Sequence, residues 1–437
     1  AAMLIAGLPM ELLFAQSGSA AFDVEQASRA YIDTLQGAEL EKSNNYFQGG
    51  YWLILVNFVI GLIVAGILLQ TGFAKTLRDK LRAAVKFNWL TTLVFATVYS
   101  LITSILTFPM TLYEGFYRER AFNLSTMSLP DWLGEWAINL GVSTLMFAVF
   151  ITLLYAVIRI AKASWWMWGM ALSVLFLGFM LFLSPIYIDP LFNDYQPMEA
   201  GELRDDILSI AHANGIPADD VFVFDVSRQS NRITANVSGL FDTTRIALSD
   251  TLIENTDRDE VLAVMAHEMG HYVLNHIWEM FAKFTLLLAI GFAITNGLFG
   301  WANRVMGRNW GVSGIGDIAG LPLLLACLSV FFFVATPVFN TIIRTNEAAA
   351  DLFGLNAARE PDGSATVDLR LASYRKIEPG ALEEWFMFDH PSGRARVFMA
   401  MQWKAGQLEM GATDQTPDLR IDRAEAIAAE LEAANAE

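Results

Sequence analysis

Two histidines and a glutamate in the run H-E-M-G-H at residues 267–271 carry the clearest chemistry in the sequence. On an α-helix His267 and His271 are four residues apart, so both imidazoles leave the same face one turn apart. This spacing lets two ring nitrogens reach one tetrahedral zinc ion. Glu268 lies about 100° round the helix, where its carboxylate can accept a proton from a metal-activated water. The motif therefore predicts a catalytic metal site with Glu268 as the base.

A third protein ligand is needed, because catalytic zinc usually has three and one open position. The better candidate is Glu347, in the run N-E-A-A-A-D at 346–351, where it lies four residues before Asp351. Small alanines let such a helix approach another closely. One carboxylate can then bind the metal while the other holds the far N–H of a ligand histidine. The alternative is a solvated acidic helix start after a membrane span, with Arg344 as its local partner.

Two further residues follow in the run H-P-S-G-R-A-R at 390–396. His390 can donate a hydrogen bond to a developing oxyanion, and Arg396 can hold either Glu347 or the substrate backbone. The alternative is a histidine in a turn before Pro391 and a surface arginine.

Asn236 lies in the β-like run T-A-N-V-S-G. An exposed edge strand can pair with an extended substrate, whose carbonyl an asparagine can hold. The alternative is an ordinary polar strand residue. His276 lies five residues after His271, or 140° round a continuous helix, so we expect it to face away from the metal and to be structural. His212 is expected at the surface.

The composition places much of the chain in lipid. Of 437 residues, 54% are hydrophobic and only 17% are charged, against about 25% charged in soluble domains. This excludes a disordered chain and argues against an ordinary soluble globule. Runs without charge that are long enough to cross a bilayer, most with tryptophan near an end, predict six spans, at 51–74, 87–113, 136–158, 163–188, 284–303 and 318–343.

The charge balance and the cysteine count exclude other classes. The net charge is −17 and no basic stripe carries interleaved aromatic residues, so nucleic acid is not an expected partner. The single cysteine, Cys327, lies in an apolar run, which excludes a disulfide framework within one chain and a zinc site built from cysteines.

The spans and the polar regions predict four parts. Residues 1–188 form an N-terminal membrane region with four clear spans; within it the apolar segment 3–14, interrupted by Pro9 and Glu11, is expected to be a truncated span or an interfacial segment. Residues 189–283 form a catalytic region with β-like runs at 221–226, 232–238 and 244–248 and a zinc-binding helix over 257–279. Residues 284–343 hold two spans. Residues 344–437 complete the catalytic region and end in an acidic surface helix over 417–435.

These residues carry a resemblance to the type I CAAX prenyl endopeptidase family, which are integral-membrane zinc metalloproteases. H-E-x-x-H alone is common to many zinc proteases, but followed by E-x-x-x-D and H-P-x-x-x-x-R it is much more specific. The resemblance covers roughly residues 45–400. Besides the three motifs, it is most specific at residues 190–193, 201–204, 225–228 and 248–252. In better-known members a second proline stands where this chain has Ser392, a change expected to affect the stiffness of the loop more than its chemistry.

The resemblance implies a mainly α, multi-pass membrane fold, with helices around an intramembrane chamber and a zincin-like catalytic domain containing a small β-sheet. It implies that one zinc ion per chain is held by three ligands, that Glu268 is the base and that Asp351 orients a ligand. It also implies that three residues contact the substrate or the tetrahedral intermediate. The implied ligands are His267, His271 and Glu347, and the implied contacts are Asn236, His390 and Arg396.

The expected partners are the lipid bilayer and a peptide or protein substrate, with or without a prenyl group at a C-terminal CAAX sequence. The expected location is the endoplasmic reticulum membrane or a bacterial inner membrane. The basic loop 75–86 places both polar regions outside the cytoplasm by the positive-inside rule, whereas the resemblance implies a zinc site that faces the cytoplasm, the reading we favour.

Three alternatives remain from the sequence. A quality-control protease of broader specificity would share every site residue, although six spans argue against it. A site-2-type intramembrane protease fits less well, because its metal helix lies within a span and residues 257–279 are rich in charge. An inactive scaffold or transporter is disfavoured by the intact Glu268 and by spans free of ionisable residues.

Overall fold

The computed structural model describes residues 22–239, 244–371 and 375–410. The predicted segment 3–14 and the predicted helix 417–435 lie outside these ranges. The chain divides into two units. The α/β unit takes the described parts of 1–51, 193–280 and 337–437, and the helical unit takes residues 52–192 and 281–336.

Helices dominate the described residues, as expected. In chain order they are α1 (Val24–Ile32), α2 (Gly37–Gln70), α3 (Phe73–Ala84), α4 (Asn88–Leu112), α5 (Glu119–Ala121), α6 (Leu129–Ala161), α7 (Trp165–Leu183), α8 (Glu202–Ala213), α9 (Asp250–Asn255), α10 (Arg258–Val273), α11 (His276–Trp310), α12 (Leu321–Ala358), α13 (Pro361–Leu371), α14 (Ala381–Met387) and α15 (Gly393–Glu409). The strands are β1 (Tyr195–Pro197), β2 (Val221–Phe224), β3 (Ala235–Ser238) and β4 (Arg245–Ser249).

Five helical stretches in the described part of the chain are long and apolar enough to cross a membrane. They are Gly37–Gln70, Asn88–Ala121, Leu129–Leu191, His276–Trp310 and Ile318–Ala358. The six predicted runs all fall on them, because Leu129–Leu191 contains two runs, on α6 and α7. These two helices pack against each other, and α6 ends before Lys162, whose φ of 51° lets the chain turn.

The helical unit buries part of the basic loop on which the orientation argument depends. Arg78 of α3 is buried and forms an ion pair with the buried Asp317, and it also donates to the carbonyl of Gly311 at 3.0 Å. Lys75 pairs with Asp79 at 2.8 Å. Lys75 and Arg78 therefore both have carboxylate partners, while the number of lysines and arginines that the positive-inside rule counts is unchanged.

The α/β unit contains a four-stranded sheet in the order β1-β2-β4-β3. β2 and β4 run parallel, while β1 and β3 pair antiparallel at the two edges. The three predicted β-like runs correspond to β2, β3 and β4, and β1 was not predicted. Helix α10 packs against β3, so an edge strand of the sheet lies beside the helix that carries His267.

Helix α10 begins where the sequence predicts but ends earlier. A capping box closes its N-terminus, since the Glu260 carboxylate accepts from the backbone N–H of Asp257 at 2.8 Å. The predicted helix over 257–279 is wrong at its other end: α10 stops at Val273, Asn275 takes a left-handed conformation with φ of 57°, and α11 starts at His276. This break redirects the chain just after the second histidine of the motif.

A buried polar cluster joins α1, α13 and α15. Lys404 and Asp362 are each 1% exposed, and the Lys404 Nζ lies 2.9 and 2.7 Å from the two Asp362 oxygens. The hydroxyl of Tyr31 donates to Asp362 at 2.6 Å. Buried charges are tolerated only when paired and hydrogen-bonded, so these three side chains fix the N-terminal helix to the C-terminal part of the unit.

We expect Lys404→Met to destabilise the protein by about 3–5 kcal/mol, because it leaves the Asp362 carboxylate buried without its cation. Adding Asp362→Asn should restore most of this loss, since an amide is neutral and still accepts from Tyr31. Thermal unfolding in detergent would measure the order of the three proteins. A Lys404→Met protein as stable as the wild type would contradict the role given to this buried ion pair.

Candidate active site

The site is built where α10 and α12 approach each other closely at two glycines. A Cβ added at Gly270 would lie 3.2 Å from the Cα of Ala350, and one added at Gly354 would lie 3.1 Å from the backbone nitrogen of His267. A side chain at either position would require its neighbours to give by a few tenths of an ångström. The small residues therefore bring the backbone of one helix within reach of the ligand side chains of the other.

Three side chains that could hold a metal ion meet at this crossing. The Nε2 atoms of His267 and His271 are 3.2 Å apart. Glu347 places one carboxylate oxygen 3.3 Å from His267 Nε2 and the other 3.4 Å from His271 Nε2. A tetrahedral zinc with bonds of about 2.0–2.1 Å separates its ligand atoms by about 3.3–3.4 Å. The donor types and their spacing therefore fit a single zinc ion.

A second layer of side chains holds both histidines. Asp351 accepts from His267 Nδ1 at 2.8 Å, which leaves Nε2 of that ring as the metal-facing atom. On the other ring, His271 Nδ1 lies 3.0 Å from Nδ1 of His276. This contact was not foreseen by the sequence analysis: the break at Asn275 turns the His276 ring against His271, on the side of that ring away from Nε2.

Arg396 connects the carboxylates of the site. It is buried on α15, and its Nε lies 2.9 Å from Asp351, with one Nη 3.3 Å from Glu347 and the other 3.3 Å from Asp368 of α13. These ion pairs fix the carboxylate that backs His267 and the carboxylate expected to bind the metal. Burial raises the pKa of Asp368 to about 6, against the opposing effect of the Arg396 charge.

The cavity at the site has a volume of about 240 Å³, and its lining includes Glu268 together with the three ligand side chains. Burial raises the pKa of Glu268 to about 7, a value suited to proton exchange near neutrality. Burial also lowers the pKa of His271 to about 4. At His267 burial is outweighed by Asp351 and Glu347, which raise its pKa to about 10. The site therefore favours positive charge between these groups.

His390 enters the same cavity from the loop before α15. Its Nε2 lies 3.2 Å from Glu347, and its Nδ1 lies 2.8 Å from Asp389. Arg344, suggested as a local partner of Glu347, instead donates to the backbone carbonyls of Glu384 and Phe388 and so supports this loop.

The structure gathers seven of the eight candidate residues and leaves Asn236 apart. Asn236 lies on edge strand β3, but its neighbours Thr234 and Ala235 line the cavity while Asn236 itself does not. Its Oδ1 is buried without a hydrogen-bond partner among the described residues. His212 is exposed, as expected, and its ring bonds the carbonyl of Ala218 at 2.8 Å.

Two residues of the site, Asp368 and His276, were not placed by the sequence analysis. Asp368 lies outside the recognised motifs, and only the packing of α13 beside α10 and α15 brings it to Arg396. His276 was visible as a histidine near the motif, but its position depends on a helix break. The asparagine before it was the one available cue, because asparagine adopts left-handed conformations more readily than most residues.

Comparison with known proteins matches the two halves of the chain to two family descriptions. The family described as peptidase family M48 matches residues 197–404, and the family described as CAAX prenyl protease N-terminal, five membrane helices, matches residues 24–194. An uncharacterized metalloprotease, YhfN, of Bacillus subtilis is 31% identical over 365 residues, which are 83% of this chain and 85% of the relative.

Relatives with assigned names point the same way. CAAX prenyl protease 1 of Saccharomyces cerevisiae is 27% identical over 342 residues, covering 72% of this chain and 73% of that protein. The crystal structure of Ste24p from S. mikatae superposes with a TM-score of 0.71 at 20% identity, over 86% of this chain and 96% of the other, which shows a shared fold. The predicted class, a mainly α multi-pass membrane protein with a small sheet, is confirmed. The chain therefore belongs to peptidase family M48, in its type I CAAX prenyl protease branch, and is an integral-membrane metallopeptidase.

Proposed function

We propose that the protein is a zinc endopeptidase in which His267, His271 and Glu347 hold one zinc ion per chain. The observation that carries this proposal is the meeting of the two Nε2 atoms, 3.2 Å apart, with the Glu347 carboxylate, whose two oxygens lie 3.3 Å from one and 3.4 Å from the other, in a cavity that also contains Glu268. When bound, zinc supplies a Lewis acid that makes water nucleophilic near neutral pH and polarises a peptide carbonyl.

The protein's own groups then divide the remaining work. Glu268 accepts the proton of the attacking water and delivers it to the nitrogen of the leaving amine, a role that its raised pKa supports. His390 lies within 3.2 Å of Glu347 and is placed to donate to the carbonyl oxygen as negative charge develops there. Arg396 acts through its contacts with Glu347 and Asp351, which keep the ligand set in position.

The substrate is held in an extended conformation beside β3. Because β3 is an edge strand and residues 233–235 line the cavity, a peptide that pairs with this edge places its backbone next to Glu268. In this arrangement the strand backbone at Thr234 and Ala235 makes the contacts nearest the cavity. The predicted contact of Asn236 with a substrate carbonyl stays a proposal, from a residue one position further along the same strand.

We propose that the substrate class is C-terminal CAAX-type proteins, prenylated where the host prenylates proteins. The names of the relatives from Saccharomyces cerevisiae and Dictyostelium discoideum, and the match to the CAAX prenyl protease N-terminal family, support this assignment. The relative YhfN is named only as a metalloprotease, so a broader membrane-protein quality-control activity is the second candidate.

We further propose that the metal site faces the cytoplasm, in an endoplasmic reticulum or bacterial inner membrane. Membership of the CAAX prenyl protease family supports this orientation, while the lysines and arginines of the basic loop 75–86 argue for the opposite one by the positive-inside rule.

The decisive experiment combines metal content with cleavage. Detergent-purified protein should contain about one zinc per chain and should cleave a farnesylated CAAX peptide faster than its unprenylated twin. Glu268→Gln should abolish cleavage in both while retaining zinc, because every proposed ligand remains. Equal cleavage of the two peptides would favour the quality-control activity, and cleavage that survives Glu268→Gln would remove Glu268 from its role as the base.

Loss of the third ligand should separate metal binding from folding. We expect Glu347→Ala to lose stoichiometric zinc, measured by elemental analysis after dialysis. Glu384→Ala, at a glutamate outside the proposed ligand set, is the matched control and should keep its zinc. Full zinc retention in Glu347→Ala would place the third ligand elsewhere.

His276 offers a test of the groups behind the ligands. If His271 binds zinc through Nε2, its Nδ1 carries the proton and donates to Nδ1 of His276. We expect His276→Phe, which keeps a ring but loses the acceptor, to weaken zinc binding by about 10–100-fold. His276→Gln, which restores an acceptor, should recover most of that loss.

Competition with a chelator measures these affinities, and the unfolding temperature of the zinc-free proteins serves as the control for general structural damage. The two variants could instead bind zinc with similar affinity while their zinc-free forms unfold at the wild-type temperature. That result would show that a hydrogen-bond acceptor at position 276 does not determine zinc affinity.

A further inference from the structure

Helix α14 exposes its apolar face and turns its acidic face toward the protein. Leu382, Trp385 and Phe386 lie on one face and are 83%, 46% and 42% exposed. The other face carries Glu383 and Glu384, which point inward. In water a helix buries its apolar face and exposes its acids, so this arrangement calls for an apolar partner outside the protein.

The inward glutamates are firmly bonded, which fixes the direction of the apolar face. Glu383 accepts from the Tyr51 hydroxyl at 2.9 Å and from Lys376 Nζ at 2.7 Å. Glu384 accepts from the backbone N–H of Ser392 at 3.0 Å. Rotating α14 to hide its apolar side chains would break all three bonds.

The contacts of α14 also mark its depth relative to the membrane. Tyr51 is the first residue of the apolar run 51–74 on α2. On α12, Asn340 donates to the carbonyl of Phe386 at 2.9 Å and Arg344 donates to that of Glu384 at 3.0 Å. These two residues stand at the end of the apolar run 318–343. Two membrane-crossing helices thus contact α14 at the positions where each leaves the hydrocarbon.

We propose that α14 is an interfacial helix, which inserts Leu382, Trp385 and Phe386 among the lipid headgroups and upper acyl chains. Tryptophan favours this zone, and interfacial helices bury their apolar face there by about 5–10 Å. Val338, near the end of the apolar run of α12, is also exposed. The partner is the bilayer that the chain already spans, and the proposal does not rest on peptidase activity.

The arrangement has a consequence for the site. The loop from Phe388 to His390 directly follows α14, and Arg344 holds its first carbonyl. Lipid that supports α14 therefore supports the backbone that carries His390 into the cavity.

A spin label attached at Leu382→Cys tests the proposal in the full-length protein reconstituted into phosphatidylcholine–phosphatidylglycerol vesicles. The only native cysteine is Cys327, so Cys327→Ala supplies the background. Ile105→Cys, exposed on the apolar run of α4, is the hydrocarbon control, and Glu202→Cys, exposed on α8, is the aqueous control. Accessibility to oxygen and to a water-soluble nickel complex gives the depth of each label.

We expect the label at 382 to be shielded from the nickel complex and accessible to oxygen, at a depth of about 5–10 Å into the boundary between headgroups and acyl chains. Nickel accessibility equal to that at position 202 would overturn the proposal. A label that is open to nickel in vesicles and becomes shielded only when a farnesylated peptide is added would also overturn it, and would assign the face to the lipid group of a substrate.

Discussion

The contact between α10 and α12 is the constraint on which the site depends. A metal held by two histidines of one helix and a glutamate of another requires the two backbones to pass within a few ångströms. Gly270 against Ala350 and Gly354 against His267 provide this approach. A methyl group at either glycine would require the facing backbone to give by a few tenths of an ångström. Packing at two small residues thereby sets the spacing of the candidate ligands.

Close approach concentrates charge, and the rest of the unit is arranged to compensate it. Glu347, Asp351 and Asp368 are brought together in a partly closed space, where repulsion between carboxylates would oppose folding. Arg396 reaches all three from a third helix. Asp351 and Glu347 also raise the pKa of His267. The carboxylates of the site therefore favour a positive charge between the histidines. The electrostatics and the geometry therefore select the same kind of occupant.

The sequence revealed those parts of the site that depend on local spacing. His267 and His271, and likewise Glu347 and Asp351, are pairs four residues apart on helices, so their shared faces follow from helical geometry alone. The spans were evident because a bilayer requires long apolar runs. The helix break at Asn275 and the approach of Asp368 were not evident, since both are decided by tertiary packing. The contact between His276 and His271 was missed because one helical period was extended across that break.

The position of the site along its helices relates the chemistry to the bilayer. Helix α12 is continuous, and its apolar run ends at about residue 343, four residues before Glu347. At about 1.5 Å of rise per residue, the carboxylate lies roughly 6 Å along the helix from the end of the apolar run. Helix α11 begins at His276, beside the second histidine, and becomes apolar eight residues later. Glu347 and His276 thus lie just beyond the apolar runs of two membrane-crossing helices, and each of these helices continues without a break from its apolar run to its site residue.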